Sequence, residues 1–160
     1  MLMWVAGVGY KDGYRDPLGE NTKADIIGLG ISKVSEVKTL QTYVIEGDVN
    51  RENVEKAGRE LLADSIIQYF NFSAFDGKHL KNLVKKRGVW AVEVFFKSGV
   101  MDVVGLSVAK AIEVMGINGA KVRTGTTYVI SGNLTEREIK NICEKCLANG
   151  LIQTYNYKRL

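Results

Sequence analysis

The sequence predicts an α+β protein in two like-sized halves, each laying helices on one face of a largely antiparallel sheet. Three observations carry this: the chain repeats itself, each copy orders its β-rich and helical stretches alike, and the composition is globular. Of 160 residues, 46% are hydrophobic and 25% charged, which excludes a disordered tail and a fibrous repeat. A chain of this length buries roughly 70% of its unfolded surface and needs no staples. Twenty-two basic against 18 acidic residues leave a net charge of +4, a weak pull towards acidic partners. No apolar run is long enough to span a bilayer. Residues 1–6 lack the basic start of a signal peptide, and two cysteines three apart make no disulfide framework. A cytoplasmic, reducing setting is therefore expected.

Laying Trp4 on Trp90 aligns the halves at an offset of 86, with Lys11 on Lys97, Gly13 on Gly99, Asp16 on Asp102 and Gly19 on Gly105. One residue is lost after Gly116, and the offset becomes 85. Thr42-Tyr43-Val44-Ile45 then matches Thr127-Tyr128-Val129-Ile130, and Ile67-Gln68 matches Ile152-Gln153. Identities spread from end to end mark a duplicated domain.

Each copy opens with a β-rich run, residues 4–10 and 89–96. Asp16-Pro17 reads as a helix start, because Asp accepts from free first-turn N–H groups and Pro suits a position needing no N–H. Asp102 repeats the cap without the proline. Val104, Val108, Ala111, Ile112 and Met115 form the stripe of the second copy's helix. Gly30 and Gly116 fit the left-handed residue that closes such a helix. Residues 34–38 with 42–46, and 120–123 with 127–131, read as a hairpin or one bent strand, Gly125 supplying the turn or bulge. Second helices follow over 51–63 and 136–148. The latter opens with the capping-box spacing of Thr135 and Glu138 and carries Ile139, Ile142, Cys143, Cys146 and Leu147 on one stripe. Closing strands run over 66–72 and 151–157. The order β-α-β-(β)-α-β, met twice, is ferredoxin-like. The halves are residues 1–72 and 89–160. Residues 73–88, with Lys78, Lys81, Lys85, Lys86 and Arg87, have no twin and read as a basic linker whose charges form a solvated face, with docking on an acidic partner as the alternative.

Little here resembles catalytic machinery. Cys143 and Cys146 have C-x-x-C spacing, but a structural zinc needs four ligands and a redox pair sits at a helix start. These two lie late on an apolar stripe and read as small core residues. His79, the single histidine, stands in the linker with no fixed partner and reads as a surface residue. Gly7-Val8-Gly9 misses the last glycine of the dinucleotide fingerprint. No nucleophile, general base or metal cage emerges, so the residues alone describe a binding or structural module. A tandem RNA-recognition-motif protein shares the element order but reads bases with exposed sheet aromatics, and Tyr43 and Tyr128 offer one per copy. A tandem ACT-like small-molecule sensor shares the order as well.

Asp16-Pro17-Leu18-Gly19, Leu29-Gly30, Tyr43-Val44-Ile45-Glu46, Leu61-Leu62-Ala63-Asp64 and Ile67-Gln68 resemble the small PurS subunit of phosphoribosylformylglycinamidine (FGAM) synthase. The second copy carries the same series: Asp102-Val103-Val104-Gly105, Met115-Gly116, Val122-Arg123-Thr124-Gly125, Tyr128-Val129-Ile130, Leu147-Ala148-Asn149 and Ile152-Gln153. Chains of that family are about half this length and pair as dimers, so the resemblance implies a covalently fused pseudo-dimer.

It also implies a role in the ligase complex of purine biosynthesis. There a synthetase subunit (PurL) uses ATP and Mg to activate the amide of formylglycinamide ribonucleotide. A glutaminase subunit (PurQ) releases ammonia from glutamine, and PurS bridges the two. This chain is then expected to bind no cofactor, nucleic acid or membrane itself and to supply no catalytic residue. Self-association of the fused chain stays open. Asp16, Gly19, Tyr43, Gln68, Asp102, Gly105, Tyr128 and Gln153 are the candidates for lobe pairing or partner contact. The alternative for each is fold maintenance.

Overall fold

A computed structural model describes residues 2–160. Repeat one comprises β1 (Leu2–Tyr10), α1 (Pro17–Gly28), β2 (Val34–Gly47), α2 (Arg51–Ala57) and β3 (Gln68–Ala74). A short α3 (His79–Leu83) follows. Repeat two comprises β4 (Trp90–Phe96), α4 (Val103–Val114), β5 (Lys121–Gly132), α5 (Glu136–Ile142) and β6 (Gln153–Arg159). The six strands form one antiparallel sheet in the order β3-β1-β2-β5-β4-β6. The two repeats thus share a single sheet, joined where β2 meets β5.

Local chemistry explains most element limits. Asp16 and Asp102 cap α1 and α4 by accepting from the Gly19 and Gly105 amides. Gly30 and Gly116 follow these helices at φ of +91° and +93°, where a side chain would be strained. Thr135 and Glu138 form the reciprocal box at the start of α5. Both α2 and α5 end in a wider π-helical turn, closed by Ala63 and Ala148 amides donating to Gly58 and Cys143 carbonyls.

The middle of each repeat is one long strand, without a hairpin. Gly125 is neither turn nor bulge: it lies in β5 opposite Thr42 and Phe95. A Cβ there would stand 2.4 Å from the Val94 carbonyl oxygen. The glycine serves close packing rather than reversal.

The helix-covered face holds two cores, and each mixes the repeats. Ile26 of α1 packs with Trp90, Val92, Ile130, Ile139 and Ile142 of repeat two. Ile112 of α4 packs with Ile45, Val49, Val54 and Ala57 of repeat one. The first helix of each half therefore completes the core of the other. The α4 stripe is narrower than its periodicity predicts: Ile112 is buried, while Val104 is 53% exposed.

Residues 73–88 are not a free spacer. They hold the end of β3 and α3, and Leu80, Leu83 and Val84 pack across the second sheet face on Val5, Leu40, Val44, Ala91 and Val129. Lys78, Lys81, Lys85, Lys86 and Arg87 are exposed. His79 departs from its surface reading: it is buried and bonds Glu93, itself only 3% exposed. Among the described residues no helix is long and apolar enough to cross a membrane.

Because the cores are shared, the halves must unfold together. Trp4 and Trp90 provide one fluorescent probe in each, read separately in Trp90→Phe and Trp4→Phe backgrounds. Ile26→Ala should cost about 2–5 kcal/mol and move both probes' denaturation midpoints equally. A shift confined to one probe contradicts shared cores.

Candidate functional site

The centre of the molecule is the β2–β5 seam. Its register runs from Val34–Gly132 to Glu46–Lys121, with Gln41 opposite Thr126. These two are repeat equivalents, so the pseudo-two-fold axis passes between them. On the second face, the equivalent hydroxyls of Thr42 and Thr127 meet at 2.7 Å, both fully buried. A buried hydroxyl costs free energy unless bonded, and here each satisfies the other across the axis.

On the helix-covered face the seam gathers most of the sequence candidates. The Asp16 carboxylate accepts from the Gly19 amide at 2.9 Å, the Thr39 amide at 2.6 Å and the Thr39 hydroxyl at 3.0 Å. Asp102 repeats the arrangement with the Gly105 amide at 2.8 Å, the Thr124 amide at 2.6 Å and the Thr124 hydroxyl at 2.8 Å. One carboxylate thus caps a helix and pins it to a central strand. Charge-assisted bonds of this kind are the stronger class.

Gly19 and Gly105 permit that approach. A Cβ on either would lie 2.3 Å from the Val37 carbonyl oxygen or 2.5 Å from that of Val122. The strand then continues the link across the axis, since Thr39 pairs with Tyr128 and Thr124 with Tyr43. Asp16, Gly19 and Tyr128 therefore stand together, as do Asp102, Gly105 and Tyr43, each set spanning both repeats. Burial raises both tyrosine phenols above their usual pKa. Both rings lie on the helix-covered side, not on an open sheet platform.

Gln68 and Gln153 sit at the start of the edge strands β3 and β6. Each side-chain oxygen accepts at 2.8 Å from the amide four residues earlier, Asp64 or Asn149, closing the turn into β3 or β6. Gln68 also lines a cavity of about 280 Å³ beside the start of α1, with Tyr10, Leu18, Gln41 and Thr126. Sequence reasoning missed Thr39, Thr124, Thr42 and Thr127. Their exact repetition at an offset of 85 was the available signal.

The cysteines provide no reactive thiol. Cys143 is fully buried, and burial with the nearby Glu144 charge pushes its pKa up to about 12. Burial also raises Cys146. A nucleophilic cysteine needs the opposite shift. Among the described residues no three His, Cys, Asp or Glu side chains converge as a metal cage.

Fold and seam define a class: a duplicated α+β chain closed into a pseudo-dimer about an internal two-fold. The family model for PurS, phosphoribosylformylglycinamidine (FGAM) synthase, matches residues 5–76 and again 89–160. The chain belongs to the PurS family, in tandem form, and so has a role in FGAM synthase and purine biosynthesis in association with subunits of that enzyme. Among curated proteins no match is found.

Gly105→Ala should lower stability by about 1–3 kcal/mol through overpacking against the Val122 carbonyl. Gly19→Ala should do the same, with Gly77→Ala as the control, since nothing lies within 4 Å of a Cβ there. Equal stabilities for all three in urea titrations would show that the close approach does not matter.

Proposed function

We propose that this chain is the non-catalytic adaptor of FGAM synthase, bridging the synthetase (PurL) and glutaminase (PurQ) subunits. The glutaminase releases ammonia from glutamine. The synthetase uses ATP and Mg to activate the amide of formylglycinamide ribonucleotide that receives it. Ammonia in bulk water is protonated and lost as a nucleophile, so an interface that excludes water between two active sites is itself functional.

One observation carries the bridging role: the two halves share a plan but not a surface. Around α4, Met101, Val103, Leu106 and Val114 are 72%, 63%, 62% and 86% exposed. Their counterparts around α1 are Arg15, Pro17, Glu20 and Gly28, and Arg15 and Glu20 form an ion pair. The α1 surface is mixed, with Leu18 46% and Ile27 48% exposed beside that ion pair, whereas the α4 surface is the more apolar of the two, and unlike surfaces suit two different partners. Exposed apolar clusters of this kind mark interaction sites.

The RNA-binding alternative is disfavoured physically. It requires exposed aromatics on an open sheet, whereas Tyr43 and Tyr128 lie under helices and residues of the crossover cover the second face.

Reconstitution tests the proposal. Synthetase and glutaminase subunits with ATP, Mg and glutamine should form product only when this chain is added, while ammonia-dependent product formation should need the synthetase alone. Leu106→Asp should reduce glutamine-dependent turnover at least about tenfold, in line with a central interface contact, and leave ammonia-dependent turnover and thermal stability unchanged. Glutamine-dependent turnover without this chain would refute the adaptor role.

A further inference from the structure

The crossover between the repeats carries a buried polar cluster with no counterpart elsewhere in the duplicated plan. Glu93 of β4 is equivalent to Gly7 of β1. It points to the second sheet face, where its neighbours Ala91 and Val129 join an otherwise apolar cluster. One Glu93 oxygen lies 2.7 Å from His79 Nε2, and the other accepts from the Asn156 amide at 3.3 Å. The His79 Nδ1 faces the Asp76 carbonyl. At Gly7 there is no such group: a Cβ would stand 3.2 Å from Leu40 and 3.6 Å from Leu83 of the crossover. The crossover is thus seated by a bare backbone on one repeat and a polar contact on the other.

The hydrogen-bond inventory of this contact fixes its proton count. A carbonyl oxygen only accepts, so Nδ1 must carry a proton. Nε2 and the Glu93 oxygen, at 2.7 Å, must then share another, on the ring or on the carboxyl group. A neutral ring beside an ionised carboxylate is one proton short. Either Nε2 or Nδ1 would then turn a lone pair onto an acceptor, between side chains only 10% and 4% exposed.

We propose that residues 75–89 form a proton-fastened strap, in which the proton shared by His79 and Glu93 holds the crossover on the second sheet face. Loss of that proton frees the strap and uncovers the apolar strip of Leu40, Val44, Ala91 and Val129. The charges acting on the ring are those of Glu93, from β4, and Asp76, from the strap's own turn. From β6 comes the neutral Asn156 amide. Arg123 of β5 is separated from the imidazole by Phe75, whose ring lies 4.6 Å from it with the guanidinium 5.8 Å away. β1 contributes no charged group, presenting Met3, Val5 and Gly7 on this face. Lys78 and Lys81 flank His79 in sequence and are exposed.

Burial works against the charged ring, but the bonds to Glu93 and Asp76 outweigh it and raise the His79 pKa above the usual value. The sign follows. The fastening is complete below the ordinary histidine range, near pH 6.5, and is lost as pH rises through the raised value.

Two measurements on the intact chain test this. A long-range proton–nitrogen spectrum at pH 6 should show both His79 ring nitrogens protonated or sharing a proton with Glu93. A ring with one bare, unshared nitrogen at that pH overturns the proposal. Hydrogen exchange, corrected for intrinsic rates, should show the Lys81 and Val84 amides losing about tenfold or more protection between pH 6 and pH 9, about one pKa unit's worth or more. Amides of β2 and β5 should hold theirs. In Glu93→Gln, where a neutral amide replaces the carboxyl group, that pH dependence should vanish. Strap protection that stays flat with pH, or falls in step with the seam, overturns the proposal in the unaltered chain.

Discussion

The antiparallel pairing of β2 with β5 is the contact on which every other feature of this molecule depends. It turns two three-stranded sheets into one six-stranded sheet, and it places the ends of α1 and α4 by way of Thr39 and Thr124. Because each aspartate cap is pinned to a strand at the seam, each helix starts near the axis and extends over its neighbour's territory. The mixed cores around Ile26 and Ile112 follow directly. Register matters strongly here, since a slip of one residue would exchange the faces of Thr39 and Leu40. It would expel the buried Asp16 bonds and the Thr42–Thr127 hydroxyl pair together.

Fusion changes what such a pair is able to become. Two identical chains meeting about a true two-fold must present the same surface twice. Joined in one chain, the halves hold each other at high effective concentration, and equivalent positions are free to differ. The differences are concentrated away from the seam: Gly7 against Glu93 under the strap, Arg15 against Met101 and Glu20 against Leu106 beside the helices. The residues that pin the seam stay alike, with Asp16 and Asp102, Gly19 and Gly105, Thr42 and Thr127, while beside the axis Leu40 and Gln41 differ from their twins Gly125 and Thr126. Function as an adaptor would draw on both properties, one constant frame and two unlike docking faces.

Much of this was legible in the residues because local chemistry repeats faithfully. Both aspartate caps, the closing glycines and the Thr135–Glu138 box are short-range signals, the duplication is a plain repetition of them along the chain, and each stands as read. Alternation alone does not distinguish a hairpin from one long strand, since Gly125 reads as a turn residue until the close Val94 carbonyl is seen. The exchange of α1 and α4 was hidden because which sheet half a helix covers is a tertiary choice. His79 was misplaced for the same reason: its partner lies 14 residues away on another element. The clue was Glu93, whose contrast with Gly7 reads in the sequence as a difference in surface charge, although the carboxylate stands in an apolar strand and is only 3% exposed.

In the proposed complex one fused chain supplies both lobes. Native mass spectrometry of the assembled complex, with this chain, the synthetase and the glutaminase subunit, reads that directly. One copy of this chain for each synthetase subunit is expected. Two copies for each synthetase would contradict it, because each fused chain would then be acting as a single lobe.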